Sequence, residues 1–131
     1  MFDHISTYAT DYLKTKDFYQ AVFAPLGYSI QAEFVASWNS DFPTQRLCAF
    51  GKNGEYSLWI IEVKTPFTPR HVAFASPDRE SVDAFYAAGI AVGARDNGKP
   101  GLRPDYHPTY YGAFLLDPDD NNVEAVCHRP E

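Results

Sequence analysis

Apolar residues recur at helical spacing in two stretches of the chain. In residues 12–27 they mark one face of a predicted helix, which Pro25 and Gly27 end. In residues 76–91 the same face recurs, with Ser76 expected as the N-cap and Pro77 at the first helical position. The two faces consist of Thr15, Phe18, Tyr19 and Val22 in the first helix and Val82, Phe85, Tyr86 and Gly89 in the second.

Short segments rich in β-branched and aromatic residues flank each predicted helix. One strand is expected before each helix, at residues 2–8 and 70–75. Three strands are expected after the first helix, at 28–37, 45–51 and 56–63, and three after the second, at 90–95, 110–117 and 122–128. Turn-forming runs such as GKNGE, NGKPGLRP and DPDDN separate these strands. Each half of the chain is therefore predicted to form a βαβββ unit.

The two halves also repeat individual residues at a constant spacing. His4 and His71, Asp11 and Asp78, and the Phe-Tyr pairs at 18–19 and 85–86 all lie 67 residues apart. A repeat of this length indicates two copies of one supersecondary unit packed together. We expect a single α+β domain over residues 1–131, with two tandem βαβββ modules that form a curled mixed sheet. Module one covers residues 1–64, a proline-containing linker 65–69, and module two 70–131.

Composition limits the classes of partner. The 131 residues are 45% hydrophobic and 16% aromatic, which suits one soluble domain with a real core. The 11 basic and 17 acidic side chains give a net charge of −6 without charge blocks, so we expect neither nucleic acid nor an anionic membrane as a partner. The start has no signal-peptide pattern and no run of about 18 apolar residues occurs, which predicts a cytoplasmic protein. Cys48 and Cys127 lie in apolar runs and are expected to be buried, reduced thiols.

Strand alternation places a few polar side chains among small or apolar ones. His71 shares its strand face with Ala73 and Ala75, whose small side chains leave room beside the imidazole. His4 lies at the equivalent position of the first module. Glu124 lies in the middle of the last strand, where a carboxylate requires a partner or a solvated cavity. The pattern predicts that Glu124 pairs with a cation.

Three segments carry a resemblance to a known family. The runs DHI at 3–5, RHVAF at 70–74 and YYGAFLLDPDDNNVEAV at 110–126 resemble the vicinal oxygen chelate superfamily, which includes glyoxalase I, extradiol dioxygenases, methylmalonyl-CoA epimerase, fosfomycin-inactivating enzymes and bleomycin-resistance proteins. The resemblance covers essentially the whole chain and implies glyoxalase-like half-barrels. In metal-dependent members it implies a divalent ion held by His4, His71 and Glu124.

A fourth ligand of the glyoxalase I type is not expected. When the two modules are aligned on Ala49-Phe50 and Ala113-Phe114, the position equivalent to Glu124 in module one is Ile60 or Trp59. Neither side chain can bind a metal ion. We interpret the nearby Glu62 as an exposed residue at a strand end. Two His and one carboxylate leave coordination positions open for a bidentate oxygen substrate. These donors suit Fe(II), Mn(II), Zn(II) or Ni(II), which would act as a Lewis acid.

A second departure from the family's pattern is Asp120 in DPDDNN, where relatives usually carry Gly. The turn is expected to require a positive φ, which Asp tolerates better than most side chains.

Residues 95–112, RDNGKPGLRPDYHPTYYG, form a predicted loop that is too polar for core and too aromatic for a spacer. We expect it to border the cavity mouth. Catalytic candidates are Glu124, His107 and Tyr111, and substrate-binding candidates are Arg103, Tyr106, Tyr110 and Trp59. The alternative for Tyr110 and Tyr111 is that they begin the seventh strand, one packing inward and the other against a neighbouring subunit.

Two functions remain open at this point. One is a metal-dependent lyase, isomerase, transferase or dioxygenase that acts on a small substrate with vicinal oxygens. The other is a metal-free protein that sequesters an aromatic or cationic compound between Trp38, Trp59 and tyrosines, as bleomycin-resistance proteins do. Open half-barrels favour a homodimer. Whether the cavity is built within one chain or across a dimer stays open.

Overall fold

The computed structural model describes residues 1–130, in which each half of the chain forms a four-stranded mixed sheet covered by one helix. Module one consists of β1 (Ile5–Ala9), α1 (Tyr12–Phe23), a 3-10 turn (Ala24–Leu26), β2 (Ser29–Val35), β3 (Arg46–Gly51) and β4 (Leu58–Glu62). Module two consists of β5 (His71–Ala75), α2 (Arg79–Ala91), β6 (Arg95–Leu102), β7 (Tyr111–Leu116) and β8 (Asn122–Cys127). The predicted α+β fold of two βαβββ modules is confirmed, with two separate sheets and no closed barrel within these residues.

The strand order is the same in both sheets. It runs β1-β4-β3-β2 in the first sheet and β5-β8-β7-β6 in the second, and the first pair of each sheet is parallel. The helix N-caps repeat as well, because Asp11 accepts a hydrogen bond from the Lys14 N–H and Asp78 accepts one from the Ser81 N–H. The 67-residue repeat therefore corresponds to a structural duplication.

Three expectations in the second module are wrong. The N-cap of α2 is Asp78 and not Ser76, because the Asp78 carboxylate is the group that bonds the first-turn N–H. Residues 90–95 are not a strand, since α2 continues to Ala91 and β6 begins only at Arg95. The predicted loop 95–112 is wrong for residues 95–102, which form β6; the pairing of this strand with β7 shifts register around Gly98 and Gly101. A bulged strand tolerates the glycines that ordinary strand patterns exclude.

The two modules share one core through their helices. The predicted faces are confirmed, with Thr15, Val22, Val82 and Phe85 completely buried. Phe23 of α1 packs against Phe50 of its own sheet at 5.2 Å between ring centroids. It also packs against Phe74 of the other module at 4.8 Å. The two modules therefore contribute to one continuous core.

Close approach at this junction requires a glycine in α2. A Cβ on Gly89 would lie 2.3 Å from Leu115 Cδ1 and 3.1 Å from Val22 Cγ1. Gly89 is therefore the point at which α2 approaches both its own sheet and α1.

Polar groups of the loop between β7 and β8 also join the modules. Buried Asp117 accepts a hydrogen bond from the Tyr19 hydroxyl at 2.6 Å, and Asp119 accepts from Thr10. Asp120 adopts φ 70°, as expected for its turn. The DPDDN segment thus fixes module two against the first strand and helix of module one.

Each sheet buries the face that packs on its helix and leaves the other face open. On β5 the open side carries His71, Ala73 and Ala75, all exposed, while Phe74 faces the core. On β4 Ile60 is buried and Trp59 lies on the open side. Two of the site candidates, His71 and Trp59, therefore lie on the open faces of the sheets. Within residues 1–130, neither helix is long and apolar enough to span a membrane.

Candidate functional site

The open face of the second sheet brings His71 and Glu124 together. The strand register pairs His71 with Asn122 and Ala73 with Glu124 on the parallel strands β5 and β8. His71 Nε2 lies 3.2 Å from Glu124 Oε1. The Glu124 side chain is 2% exposed and that of His71 is 49% exposed. A buried carboxylate therefore meets an imidazole that solvent or a ligand can reach.

The protonation of His71 is constrained by its second ring nitrogen. Nδ1 lies 3.0 Å from the backbone carbonyl oxygen of Asn122. A carbonyl oxygen only accepts, so Nδ1 carries the proton and donates. In the neutral ring Nε2 then presents a lone pair toward the Glu124 carboxylate. Two acceptor atoms that face each other in this way are compatible with a proton shared between them or with a metal ion that both bind.

Tyr110 contacts the second carboxylate oxygen of Glu124. Its hydroxyl donates a hydrogen bond to Glu124 Oε2. Burial, together with this bond and the carboxylate charge, raises the pKa of Tyr110 above its ordinary value, so the phenol stays protonated at neutral pH. Gly112 makes room for the pair, because a Cβ there would lie 3.0 Å from Oε2 and 3.2 Å from Tyr110 Cε1.

Arg103 lies on the same open face beside Phe114. Its guanidinium sits 5.3 Å from the Phe114 ring centroid, and the Phe114 ring stacks 6.3 Å from that of His71. Arg103 Nη1 and Nη2 donate to the carbonyls of Gly101 and Lys99 at 2.9 and 2.6 Å. The bulge of β6 therefore holds one positive charge in a fixed position near the His71–Glu124 pair, and the guanidinium keeps further N–H groups for an anion.

His4 lies away from this pair in the single chain. It precedes β1 and its Nδ1 contacts Asp3 Oδ1 at 2.6 Å. With Tyr56 and Trp59 it lines an open hollow of about 580 Å³ on the first module. In residues 1–130 no three His, Cys, Asp or Glu side chains are grouped as a metal site. One chain thus unites two members of the predicted trio and leaves the third on the other module.

The remaining loop candidates surround Tyr110 rather than Glu124. The exposed Tyr106 ring packs on Tyr110 at 5.1 Å between centroids. The ring of His107 contacts that of His128 at 5.4 Å, and its Nδ1 accepts from the Thr109 N–H. The loop expected at the cavity mouth therefore reaches the site through Tyr110.

Tyr111 is not brought to Glu124. Its hydroxyl donates to Asp83 of α2 at 2.6 Å, and this bond raises the pKa of Tyr111. Neighbouring residues of a strand point to opposite faces, so β7 sends Tyr111 toward the helix. The structure thus places Tyr110, rather than Tyr111, at the carboxylate.

The first sheet carries an aromatic cluster on its open face. The Trp59 ring packs against Phe34 and Tyr56, each at 5.7 Å between centroids, and Phe34 packs against Trp38 at 5.6 Å. Trp38 is 72% exposed and Tyr56 47% exposed. This surface offers flat apolar contacts beside His4.

Trp59 is the structural counterpart of Glu124. Ser6 pairs with Trp59 as Ala73 pairs with Glu124, and Ser6 and Ala73 are one repeat apart. Glu62 is not the exposed residue expected, because its side chain is 14% exposed and Oε2 lies 2.6 Å from Arg46 Nη2. The Arg46 guanidinium holds the pKa of Glu62 below its usual value. No carboxylate of β4 therefore faces the open side in the place of a fourth ligand.

Comparison with solved structures identifies the class of fold. A glyoxalase/bleomycin resistance protein from Albidiferax ferrireducens T118 superposes with a TM-score of 0.73 at 29% identity, over 98% of each chain. The chain therefore has the two-module fold of glyoxalase/bleomycin resistance/dioxygenase proteins, the fold of the vicinal oxygen chelate superfamily. No protein-family model matches this sequence, and no curated protein matches it.

Enzymes with this superfamily fold are also similar in structure to the chain. The lactoylglutathione lyase of Agrobacterium tumefaciens gives a TM-score of 0.67 at 19% identity, over 97% of this chain and 92% of the lyase. Another similar structure is a point mutant of the fosfomycin resistance protein FosX from Listeria monocytogenes, complexed with Mn(II) and 1S,2S-dihydroxypropylphosphonic acid. It gives a TM-score of 0.69 at 20% identity, over 96% of this chain and 90% of the FosX chain. At these identities the likeness establishes the fold alone.

Several residues of the open faces, including neighbours of the His71–Glu124 pair, were not identified from the sequence. Gly112 and Phe114 share the open face with Glu124, and the alternation of β7 could have identified both. Phe34 is harder to find, because a register shift between Ile30 and Ala32 interrupts the alternation of β2. The hydrogen bond from His71 to the Asn122 carbonyl has no side-chain signal in the sequence.

Proposed function

We propose that the protein is a divalent-metal-dependent enzyme of the vicinal oxygen chelate superfamily, acting on a small substrate that chelates the ion through adjacent oxygens. The observation that carries the proposal is the His71–Glu124 pair. Its fixed Nδ1–H tautomer directs the Nε2 lone pair at the region occupied by a carboxylate oxygen. The proposal includes lyase, isomerase, transferase and dioxygenase reactions.

The donor atoms fit such an ion. Two ligands about 2.1 Å from one ion at right angles lie about 3 Å apart, close to the 3.2 Å between His71 Nε2 and Glu124 Oε1. Imidazole and carboxylate suit Mn, Fe, Ni or Zn, and the FosX structure provides a neighbour of this fold with Mn(II). When bound, such an ion supplies Lewis acidity that polarises a substrate oxygen.

The chain's own residues would orient the substrate. Arg103, fixed by the carbonyls of Gly101 and Lys99, suits a carboxylate, phosphate or phosphonate group on the substrate. Phe114 would pack beside the reacting part, between Arg103 and His71. Phe114 lies within β7, and Arg103 directly follows β6 and is anchored to the carbonyls of that strand, which favours precise positioning.

A second copy of the chain would supply the third ligand, His4. In one chain the open side of β5 is exposed, and so are the large apolar residues of the other open face. Pairing of two copies would cover both surfaces, in accordance with the rarity of large exposed apolar patches on monomers. A homodimer of this kind would bring His4 and the aromatic cluster over His71 and Glu124 of the other copy.

Metal binding tests the proposal directly. We expect isothermal titration of tag-free, chelator-treated protein with Mn(II) to give about one ion per chain. His71→Ala and Glu124→Gln should each lower the Mn(II) affinity at least about a hundredfold. This loss is larger than that from removing a group that only hydrogen-bonds to a ligand, because each variant removes a ligand itself. Wild-type protein that binds no Mn, Fe, Ni or Zn contradicts the proposal.

A second function is favoured by one observation, the exposed cluster of Phe34, Trp38, Tyr56 and Trp59. Such a surface could bind a planar aromatic cation without metal, assisted by the net charge of −6. Titration of the chelator-treated protein with ethidium, followed by tryptophan fluorescence, tests this alternative. Saturable quenching that disappears in Trp59→Leu supports it, and unsaturable quenching contradicts it.

A further inference from the structure

The two oxygens of Glu124 have different surroundings. Oε1 faces His71 Nε2, which solvent can reach, whereas Oε2 is occupied by the Tyr110 hydroxyl. We infer that Tyr110 is a positioning residue that holds Oε2, so that Glu124 presents only Oε1 to the ion. This inference rests on the proposed function and specifies how that site is built.

The Tyr110 ring is fixed on several sides. It packs edge-on against Tyr106 and His128, with centroids 5.1 and 5.2 Å away, and it lies over Gly112. The Tyr110 carbonyl also accepts from the Arg103 N–H at 2.8 Å, which closes the loop between β6 and β7. A phenol held in this way cannot follow a rotating carboxylate, so it restricts Glu124 to one orientation.

Restricting the carboxylate favours metal binding for a simple reason. Groups that hydrogen-bond to a metal ligand fix its orientation before the ion arrives, and their removal commonly lowers affinity about 10- to 100-fold. Without the hydroxyl, Oε2 would lose its partner inside the protein and Glu124 could turn either oxygen toward the ion. The expected consequence is weaker binding and a more heterogeneous coordination geometry.

Tyr110→Phe tests the inference because it removes only the hydroxyl. The matched control is Tyr12→Phe in the other module, where the hydroxyl donates to Glu33 Oε2 at 2.7 Å, outside the site. We expect Mn(II) affinity by titration to fall about tenfold or more in Tyr110→Phe and to stay within about twofold in Tyr12→Phe. The electron paramagnetic resonance spectrum of bound Mn(II) should change in the first variant alone.

Gly112→Ala provides a second variant that keeps the hydroxyl. Its Cβ would press between Glu124 Oε2 and the Tyr110 ring, so we expect the same loss of affinity. Thermal unfolding of each variant without metal separates this effect from general destabilisation.

The possible outcomes are distinct. Wild-type binding with a selective loss in Tyr110→Phe supports the inference. Wild-type binding with unchanged affinity and spectrum in Tyr110→Phe overturns the role of Tyr110 and leaves the metal site standing. Absence of binding by the wild type overturns both proposals.

Discussion

The open faces of the two sheets differ in chemistry although the modules share one fold. Glu124 of the second sheet and Trp59 of the first occupy the same place in the repeat, opposite Ala73 and Ser6. Glu124 is buried among hydrogen-bonding partners, whereas Trp59 packs against the aromatic rings of Phe34 and Tyr56. The repeated backbone therefore provides equivalent positions in both modules, and the residue type at each position makes one open face ionic and the other apolar.

The burial of the two residues explains why the faces could diverge. A buried carboxylate requires each oxygen to be satisfied, and Tyr110 and His71 meet that requirement only in module two. Trp59 needs contact area alone, which Phe34 and Tyr56 provide. The comparison predicts that changes on the helix sides of the modules have equal effects and that changes on the open faces do not.

The largest expected effect is on stability and should be the same in both modules. Phe85→Ala and Phe18→Ala each remove a buried ring at equivalent positions of α2 and α1, so each should lower the free energy of unfolding by about 3–5 kcal/mol. Urea denaturation measures both. An effect of either variant below about 1 kcal/mol would show that its module does not share the common core.

The next effect distinguishes the open faces. Trp59→Leu should leave Mn(II) affinity within about twofold, because Trp59 supplies no ligand, whereas Glu124→Gln should lower it at least about a hundredfold. Parallel titrations measure both, with unchanged unfolding curves as the control. Equal losses in the two variants would contradict the division of roles between the sheets.

The smallest expected effect compares two ion pairs. Glu62→Gln breaks a partly buried bidentate contact with Arg46 and should cost about 1 kcal/mol, whereas Asp120→Asn breaks an exposed pair with Arg95 and should cost less than about 0.5 kcal/mol. Asn tolerates the positive φ of residue 120, so the control introduces no strain.

The Glu62 effect should depend on pH in one direction. Arg46 lowers the pKa of Glu62 in the folded state, so the unfolded chain binds the proton first as the pH falls. The stabilisation is complete above the ordinary carboxyl pKa of about 4.3 and disappears as the pH falls through the lower folded value. Unfolding measured between pH 3 and 7 should therefore show wild type and Glu62→Gln converging at low pH. A constant difference would contradict this assignment.

Much of the fold followed from local patterns. The helix faces and the 67-residue repeat predicted both modules, because amphipathic periodicity and repeated residues can be recognised in the sequence without knowledge of the three-dimensional contacts. The bulged β6 was not predicted, since Gly98, Pro100 and Gly101 suggest turns unless the pairing strand is known.

The site was predictable only in part. His71 and Glu124 could be placed on one face from strand alternation and the family resemblance. The hydrogen bond between Tyr110 and Glu124 could not be predicted, because a one-residue change of register would exchange Tyr110 and Tyr111 between the faces of the sheet. The separation of His4 from the pair depends on how the modules pack, which no local pattern encodes.

Mixed dimers show whether each metal site combines His4 of one chain with His71 and Glu124 of the other. A His4→Ala chain and a His71→Ala chain, each with a different tag, would be co-expressed and isolated as the pair. If His4 acts on the other copy, each homodimer lacks every complete site, while the mixed dimer retains one and should bind about one Mn(II) per two chains at wild-type affinity. Absence of wild-type-affinity binding by the mixed dimer, alongside one ion per chain in the wild type, would contradict a site shared between chains.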